Sequence, residues 1–180
     1  MYDMKRRLFD IFLMMLLLLS LAACGGQDES SSAGPTASQT RTGGEETREG
    51  YVFLVSSASD YAVSIDDDMA GVLDALGEPN QYFEAASCAF NGLDKTYTYA
   101  GFVIITRPDG DKDLVQSIRL TDDSVTTPEG IYIGCSVDEV AAAYGEGEKT
   151  DTLLICASGH TALYFVLENE KVISIEYLPA

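Results

Sequence analysis

Four cysteines and one histidine are the side chains of this 180-residue chain best suited to nucleophilic or redox chemistry. Cys135 stands just before a predicted helix, where a thiol has a lowered pKa and can react. His160 follows a glycine in a predicted turn, a position more typical of a solvated surface residue than of a catalytic base. The sequence therefore predicts no enzyme, and a site built on Cys135 or His160 is the enzymatic alternative.

Three cysteines in the main part of the chain allow three pairings in an oxidising compartment. Cys88 and Cys156 each stand eleven residues after a glycine, Gly77 and Gly145, and these glycines end two similar segments. This equivalence favours a Cys88–Cys156 disulfide with Cys135 left free. The alternative, in which all three are small buried apolar residues, stays open from the sequence.

Asp109, Asp111 and Asp113 have the alternate spacing of the first three ligands of a calcium loop. Such a loop needs glycine at its sixth position and glutamate at its twelfth. This chain has Leu114 and Leu120 there. The sequence PDGDKD therefore predicts a hairpin turn, and we expect no metal site and no cofactor.

The N-terminus predicts export and lipid anchoring. Three basic residues precede an apolar run over 8–21, which is shorter than the roughly 20 residues that span a bilayer. The run ends in LAAC, which resembles the lipobox of bacterial lipoproteins and implies cleavage after Ala23 and a diacylglyceryl thioether on Cys24. An ordinary secreted protein and an uncleaved anchor are the alternatives, and either Met1 or Met4 is the start.

Composition divides the chain into a signal peptide (1–23), a lipidated linker (24–50) and a single domain (51–180). The linker has no aromatic residue and no Val, Ile or Leu, so we predict that it is disordered. The domain has six Lys and Arg residues against 22 Asp and Glu, a formal charge of −16. This charge disfavours nucleic acid as a partner. The expected location is the extracytoplasmic face of the cell membrane, with acylated Cys24 contacting the bilayer.

Two segments of the domain, 63–78 and 131–146, match without a gap. Each predicts a strand and then a helix with apolar residues at i, i+3, i+4 and i+7, ended by Gly-Glu. The expected fold is therefore α+β, a tandem duplication of a strand–helix–antiparallel-strands unit with two helices packed on one face of antiparallel sheet. The two pseudo-repeats cover 51–122 and 123–180.

Runs of apolar and β-branched residues between turn signals predict ten strands. They cover 51–55, 61–65, 82–88, 95–100, 101–107, 114–121, 131–133, 153–156, 162–167 and 172–177.

The whole plan resembles the SmpA/OmlA and β-lactamase-inhibitor-protein-like group in architecture. More narrowly, LGEP, SCAFNGLDKTYTY, PDGDKD and TPEGIYIGCSVDEVAAAYGE are similar to segments of small acidic lipoproteins of Gram-positive, Clostridia-like bacteria, which have no assigned function. The narrower resemblance covers nearly all of 51–180. Because the broader group includes both an enzyme inhibitor and an outer-membrane assembly subunit, the resemblance selects no function and implies no site residue.

Ten tyrosines and no tryptophan occur in the chain. Most aromatic residues must pack in the core, but some of Tyr97, Tyr99 and Tyr164 are predicted to line an exposed sheet face, which is suited to protein contacts. The predicted function is a membrane-tethered, non-catalytic binding module for a protein or an envelope component. The alternative is an inhibitor of a secreted enzyme that acts through the acidic loop 108–113.

Overall fold

The computed structural model describes residues 49–56 and 59–180, apart from the side chains of residues 56, 59 and 60. The signal peptide, the lipidation site Cys24 and the linker up to residue 48 lie outside these residues. The described part contains ten strands and two helices: β1 Phe53–Ser56, β2 Ser59–Val63, α1 Met69–Leu76, β3 Gln81–Ala86, β4 Leu93–Thr98, β5 Phe102–Asp109, β6 Lys112–Leu120, α2 Val137–Tyr144, β7 Glu148–Lys149, β8 Leu153–Ser158, β9 Thr161–Glu168 and β10 Lys171–Pro179.

Eight of the strands form one antiparallel sheet in the order β3-β4-β5-β6-β10-β9-β8-β7. The four strands between α1 and α2 make one side of this sheet, and the four strands after α2 make the other. The two sides join where β10 pairs with β6, with Glu176 opposite Arg119. Strands β1 and β2 form a separate two-stranded hairpin.

The predicted fold class is wrong, because the domain is mostly β and is organised as one eight-stranded antiparallel sheet, not as a duplicated strand–helix–strands unit. Each helix has only eight residues and buries two side chains, Met69 and Val72 in α1 and Val137 and Val140 in α2. The 3.6-residue period located both helices correctly. It carried no information on how the strands would pair, and their joining into one eight-stranded sheet decides the fold class.

Nine of the predicted strands overlap observed ones, whereas 131–133 is not a strand. The backbone of Ile131 instead bonds within the preceding loop, because its N–H donates to Thr127 Oγ1 at 3.1 Å and its carbonyl accepts from the Thr127 N–H at 2.8 Å. Its apolar side chain is buried, which produced the strand-like pattern. Strand β7 was missed because two charged residues give no alternating pattern.

Both helices begin at a turn that is fixed to the sheet. The N–H of Asp66 donates to the Val115 carbonyl, and that of Gly134 to the Val172 carbonyl, each at 2.8 Å. Both residues have a positive φ, 67° and 116°, which aspartate and glycine tolerate better than most residues. The strands therefore fix where each helix starts.

Helix α2 has the predicted capping box. The Ser136 N–H donates to the Glu139 carboxylate at 2.7 Å, and the Glu139 N–H donates back to Ser136 Oγ at 3.3 Å. The Ser136 N–H and the Ser136 hydroxyl both donate to the Glu139 carboxylate and lower its pKa, because they stabilise its charged form. Asp68 caps α1 by accepting from the Ala70 N–H at 3.1 Å.

The core lies on one face of the large sheet. A cross-strand row there is at most 5% exposed: Tyr97, Ile104, Ile118, Tyr177, Leu163 and Cys156. The helices and the β1–β2 hairpin cover this face. Phe53 of the hairpin is fully buried, with its ring centroid 5.0 Å from that of Phe102 and 5.8 Å from that of Tyr177.

Candidate protein-binding face

The other face of the sheet carries a second row of side chains that crosses all eight strands. Residues directly opposite each other in antiparallel strands point to the same face. The row is Gln81, Thr98, Val103, Arg119, Glu176, Tyr164, Ile155 and Glu148. None of these side chains belongs to the core cluster under the helices and the hairpin. We call the face that carries this row the open face.

The open face is densely packed at its centre and more accessible towards its edges. Val103 is only 7% exposed and Ser117 only 4%. Towards the edges, Phe83 is 65% exposed and Val166 is 37% exposed. Apolar side chains are therefore exposed towards the edges of the open face, whereas its centre is buried.

A pair of opposite charges lies at the middle of the open face. Arg119 and Glu176 stand opposite each other where β6 meets β10. The other cations of the β3–β6 side are engaged elsewhere: Lys95 binds Asp113 at 2.6 Å, Arg107 binds Asp66 at 2.9 Å and Lys112 lies 3.5 Å from Asp68. Among the described residues, Arg119 makes no ion pair and is exposed, so its charge is available to a partner.

The three candidate face tyrosines do not share a face, so the prediction is wrong for Tyr97 and Tyr99. Tyr97 lies in the buried row of the covered face. Tyr99 follows β4 and stacks on Phe102 at 5.1 Å, while its hydroxyl donates to the Gly77 carbonyl at 3.1 Å. Only Tyr164 lies on the open face, half-buried. Strand parity explains the error, because Leu163, the neighbour of Tyr164, shares the face of Tyr97.

The predicted disulfide is not formed, and the three thiols are free. Cys88 is exposed in the loop after edge strand β3, whereas Cys156 is buried in β8. Strands β3 and β8 are six positions apart in the sheet. At roughly 4.8 Å per strand this far exceeds the reach of a disulfide. Burial raises the pKa of the Cys156 thiol. Cys135 is 4% exposed and lies in the core cluster, as the buried-cysteine interpretation expects.

His160 lies in the two-residue turn between β8 and β9, where it contacts the beginning of the described chain. Its Nδ1 is 2.6 Å from the Glu49 carbonyl, so Nδ1 carries the proton that is donated. Gly50 pairs with Gly159 beside it. This contact is structural. Among the described residues, no group of three or more His, Cys, Asp and Glu side chains could hold a metal ion.

The acidic segment 108–113 is a tight hairpin. Pro108 pairs with Asp113 and Asp109 with Lys112, so only Gly110 and Asp111 form the turn. The Asp113 carboxylate is already bound by Lys95. The segment therefore projects less than a loop of six free residues would.

The sequence reasoning missed the central residues of the open face, Thr98, Val103, Arg119 and Glu176. A signal was present in the run of apolar residues over 102–105, because a strand that is apolar at consecutive positions presents apolar side chains on both faces. Their cross-strand neighbours depend on the register, which one sequence does not specify.

Comparison of the chain with protein-family models, with curated proteins and with solved structures gave no match. In the part of the chain that the structure describes, neither helix has the length and apolar character needed to cross a membrane. Export, lipidation at Cys24 and the resemblance to small acidic lipoproteins stay predictions.

Proposed function

We propose that the protein is a membrane-tethered, non-catalytic binding module that contacts another protein at the extracytoplasmic surface through the open face. The observation that carries this proposal is the row from Gln81 to Glu148, in which apolar and charged side chains lie side by side across all eight strands.

The chemistry of the open face suits a protein partner. Protein interfaces combine an apolar centre with polar groups that fix orientation. Tyr164, Ile155 and the exposed Phe83 supply the apolar part. Arg119 with Glu176 supplies a charge of each sign. Eight strands at about 4.8 Å span roughly 35 Å, enough for the ~800 Å² that each partner buries in a stable complex.

The sheet also lowers the cost of binding. Ordering loops and side chains on association consumes part of the interaction energy. The open face is built from paired strands, and its central residues Val103 and Ser117 are already buried. Little backbone ordering is therefore required when a partner docks.

The membrane tether and the domain charge have complementary roles in this proposal. Acylated Cys24 holds the chain at the bilayer, while the domain charge of −16 repels anionic lipid head groups. The same charge favours a partner with positive potential and speeds its association.

Site-specific photo-crosslinking in cells that produce the protein tests this function. We expect a benzoylphenylalanine at Thr98 on the open face to give one discrete protein adduct, and the same group at Ala142, exposed on α2, to give none. Arg119→Glu should reduce the Thr98 adduct at least ten-fold, because it removes the exposed cation of the face.

The matched control is Lys149→Glu, which makes the same change of charge on β7, in register with the covered-face residue Leu154. It should leave the adduct within about two-fold of the parent. Equal adducts from Thr98 and Ala142, or equal losses in the two charge variants, would contradict the proposal.

A further inference from the structure

The two edges of the large sheet are built very differently. Strand β7 at one edge has two residues, Glu148 and Lys149, both charged. Strand β3 at the other edge has six exposed residues, QYFEAA, that pair with β4 without a register shift. Short, charged or bulged edges resist pairing with further strands, and lysine and proline are the usual protecting residues. Strand β3 is neither short nor bulged and has no lysine or proline, and its one charged residue is Glu84.

The register identifies which backbone groups of β3 face outward. The Ser87 N–H donates to the Gly92 carbonyl at 3.0 Å, in the continued register of β3 and β4, and on the other side of β4 the Tyr99 N–H donates to the Phe102 carbonyl at 2.9 Å. Hydrogen-bonded pairs alternate along an antiparallel ladder. Gln81, Phe83 and Ala85 therefore bond to β4. The N–H and C=O groups that face the free edge are those of Tyr82, Glu84 and Ala86.

Exposed apolar side chains surround these free backbone groups. Tyr82 is 50% exposed, Phe83 65%, Phe90 40% and Leu93 39%. Tyr82 and Phe83 belong to opposite faces of β3, so an added strand would find an aromatic side chain on each side of the sheet.

The charge near this edge is negative. Glu84 lies on β3, and Asp94 lies on β4 directly opposite Ala85. One carboxylate oxygen of Asp94, Oδ1, is buried and has no hydrogen-bond partner among the described residues. The nearby cation, Lys95, is bound to Asp113 at 2.6 Å. Because Ala85 is small, a long cationic side chain on an added strand could reach past it to Asp94.

Two other occupants fit the edge poorly. A second copy of the domain would bring its own charge of −16 and no cation on β3 to oppose Glu84. Residues 25–50 of this chain contain no Val, Ile, Leu or aromatic residue, so they lack the side chains that strands favour.

We infer that the free edge of β3 binds an extended segment of another protein that is both apolar and basic, and that this segment adds to the sheet as a further antiparallel strand. Main-chain hydrogen bonds to Tyr82, Glu84 and Ala86 would supply affinity, and an arginine or lysine near Ala85 would supply specificity through Asp94. The inference concerns the edge and not the open face, so it does not rest on the proposed function.

Amide hydrogen exchange on the purified full chain tests the inference. The probe is a nine-residue peptide, blocked at both ends, in which valine alternates with arginine or threonine. At saturation, exchange at Tyr82, Glu84 and Ala86 should slow at least ten-fold, because these amides gain acceptors. Exchange at Phe83 and Ala85, which already bond to β4, should change less than three-fold. No slowing at the outward amides would overturn the inference.

Two variants of Glu84 separate the contribution of its backbone N–H to peptide binding from that of its side chain. Glu84→Pro removes one outward N–H without removing a bond to β4, and we expect peptide affinity to fall at least ten-fold. Glu84→Gln keeps the N–H, so affinity should stay within about three-fold. Equal losses in both would refute strand addition. The exchange experiment on the unmodified chain decides the matter if the proline variant does not fold.

Two further results would refute the stated occupant. A peptide with glutamate in place of arginine should bind at least ten-fold more weakly. Equal binding would show that Glu84 and Asp94 do not select a basic segment. Slower exchange at the same three amides on raising the protein concentration without peptide would identify a second copy as the occupant instead.

Discussion

Replacing Phe53 with alanine is expected to lower the free energy of unfolding by about 3–5 kcal/mol, the usual cost of deleting a buried aromatic ring. Phe53 is fully buried, and its ring contacts those of Phe102 and Tyr177 in the large sheet. The β1–β2 hairpin pairs with no strand of that sheet, so side-chain packing must hold it in place. Urea unfolding followed by circular dichroism measures the loss.

Leu54→Ala is the matched control, because Leu54 is the next residue of β1 and is 37% exposed. Its loss should be below about 1 kcal/mol, as for most surface changes. If the two variants lost similar amounts, the hairpin would not be part of the core and the account of the covered face would be wrong.

Replacing Tyr177 with phenylalanine is expected to raise the free energy of unfolding by about 1 kcal/mol at neutral pH. The Tyr177 ring is buried at 1% exposure, and its hydroxyl has no hydrogen-bond partner among the described residues. An unsatisfied buried hydroxyl is costly, so removing it should stabilise the fold. A loss above about 1 kcal/mol in urea unfolding would show that the hydroxyl is satisfied. Tyr132→Phe, at an exposed tyrosine, should be neutral.

The same variant should change the response to alkaline pH. Burial, and then the negative charge of Glu129, raises the pKa of Tyr177 well above 10.0. The folded state therefore keeps a proton that the unfolded state releases. This contribution is complete below pH 10 and is lost as pH rises further, by about 1.4 kcal/mol per pH unit. Because the unfolded tyrosine is half ionised at pH 10, the stability advantage of Tyr177→Phe should widen by about 1 kcal/mol between pH 10 and 11, and a constant advantage would contradict the assignment.

Local structure was largely predictable from the sequence because it depends on neighbouring residues. The Ser136–Glu139 capping box and the glycine that ends each helix were predicted and are present. The hairpin turn at Gly110 was also predicted. Each of these features is fixed by contacts within four residues.

The arrangement of the strands was not predictable in the same way. No pattern within a few residues of the sequence predicts that β10 pairs with β6. This one pairing joins two groups of four strands into a single sheet. The predicted fold class failed at this step. The predicted disulfide failed with it, because it assumed that Cys88 and Cys156 would be neighbours.

The prediction of the tyrosine face went wrong because successive side chains of a strand point to opposite faces. Tyr97 and Tyr164 were both assigned to one face from their residue type, but a shift of one residue in a strand reverses the face of a side chain. Residue type identified tyrosine as a good interface residue. The register, which depends on partners far along the chain, decided that only Tyr164 is on the open face.

Hydroxyl-radical footprinting of tyrosines, on the protein in intact cells and on the purified full chain, tests the central claim most directly. Tyr164 lies on the open face, whereas Tyr132 is 41% exposed and precedes α2. We predict that oxidation of Tyr164 falls at least three-fold in cells relative to the purified protein, while oxidation of Tyr132 is unchanged. Equal oxidation of Tyr164 in both states, or protection of Tyr132 alone, would show that the open face is not the binding surface.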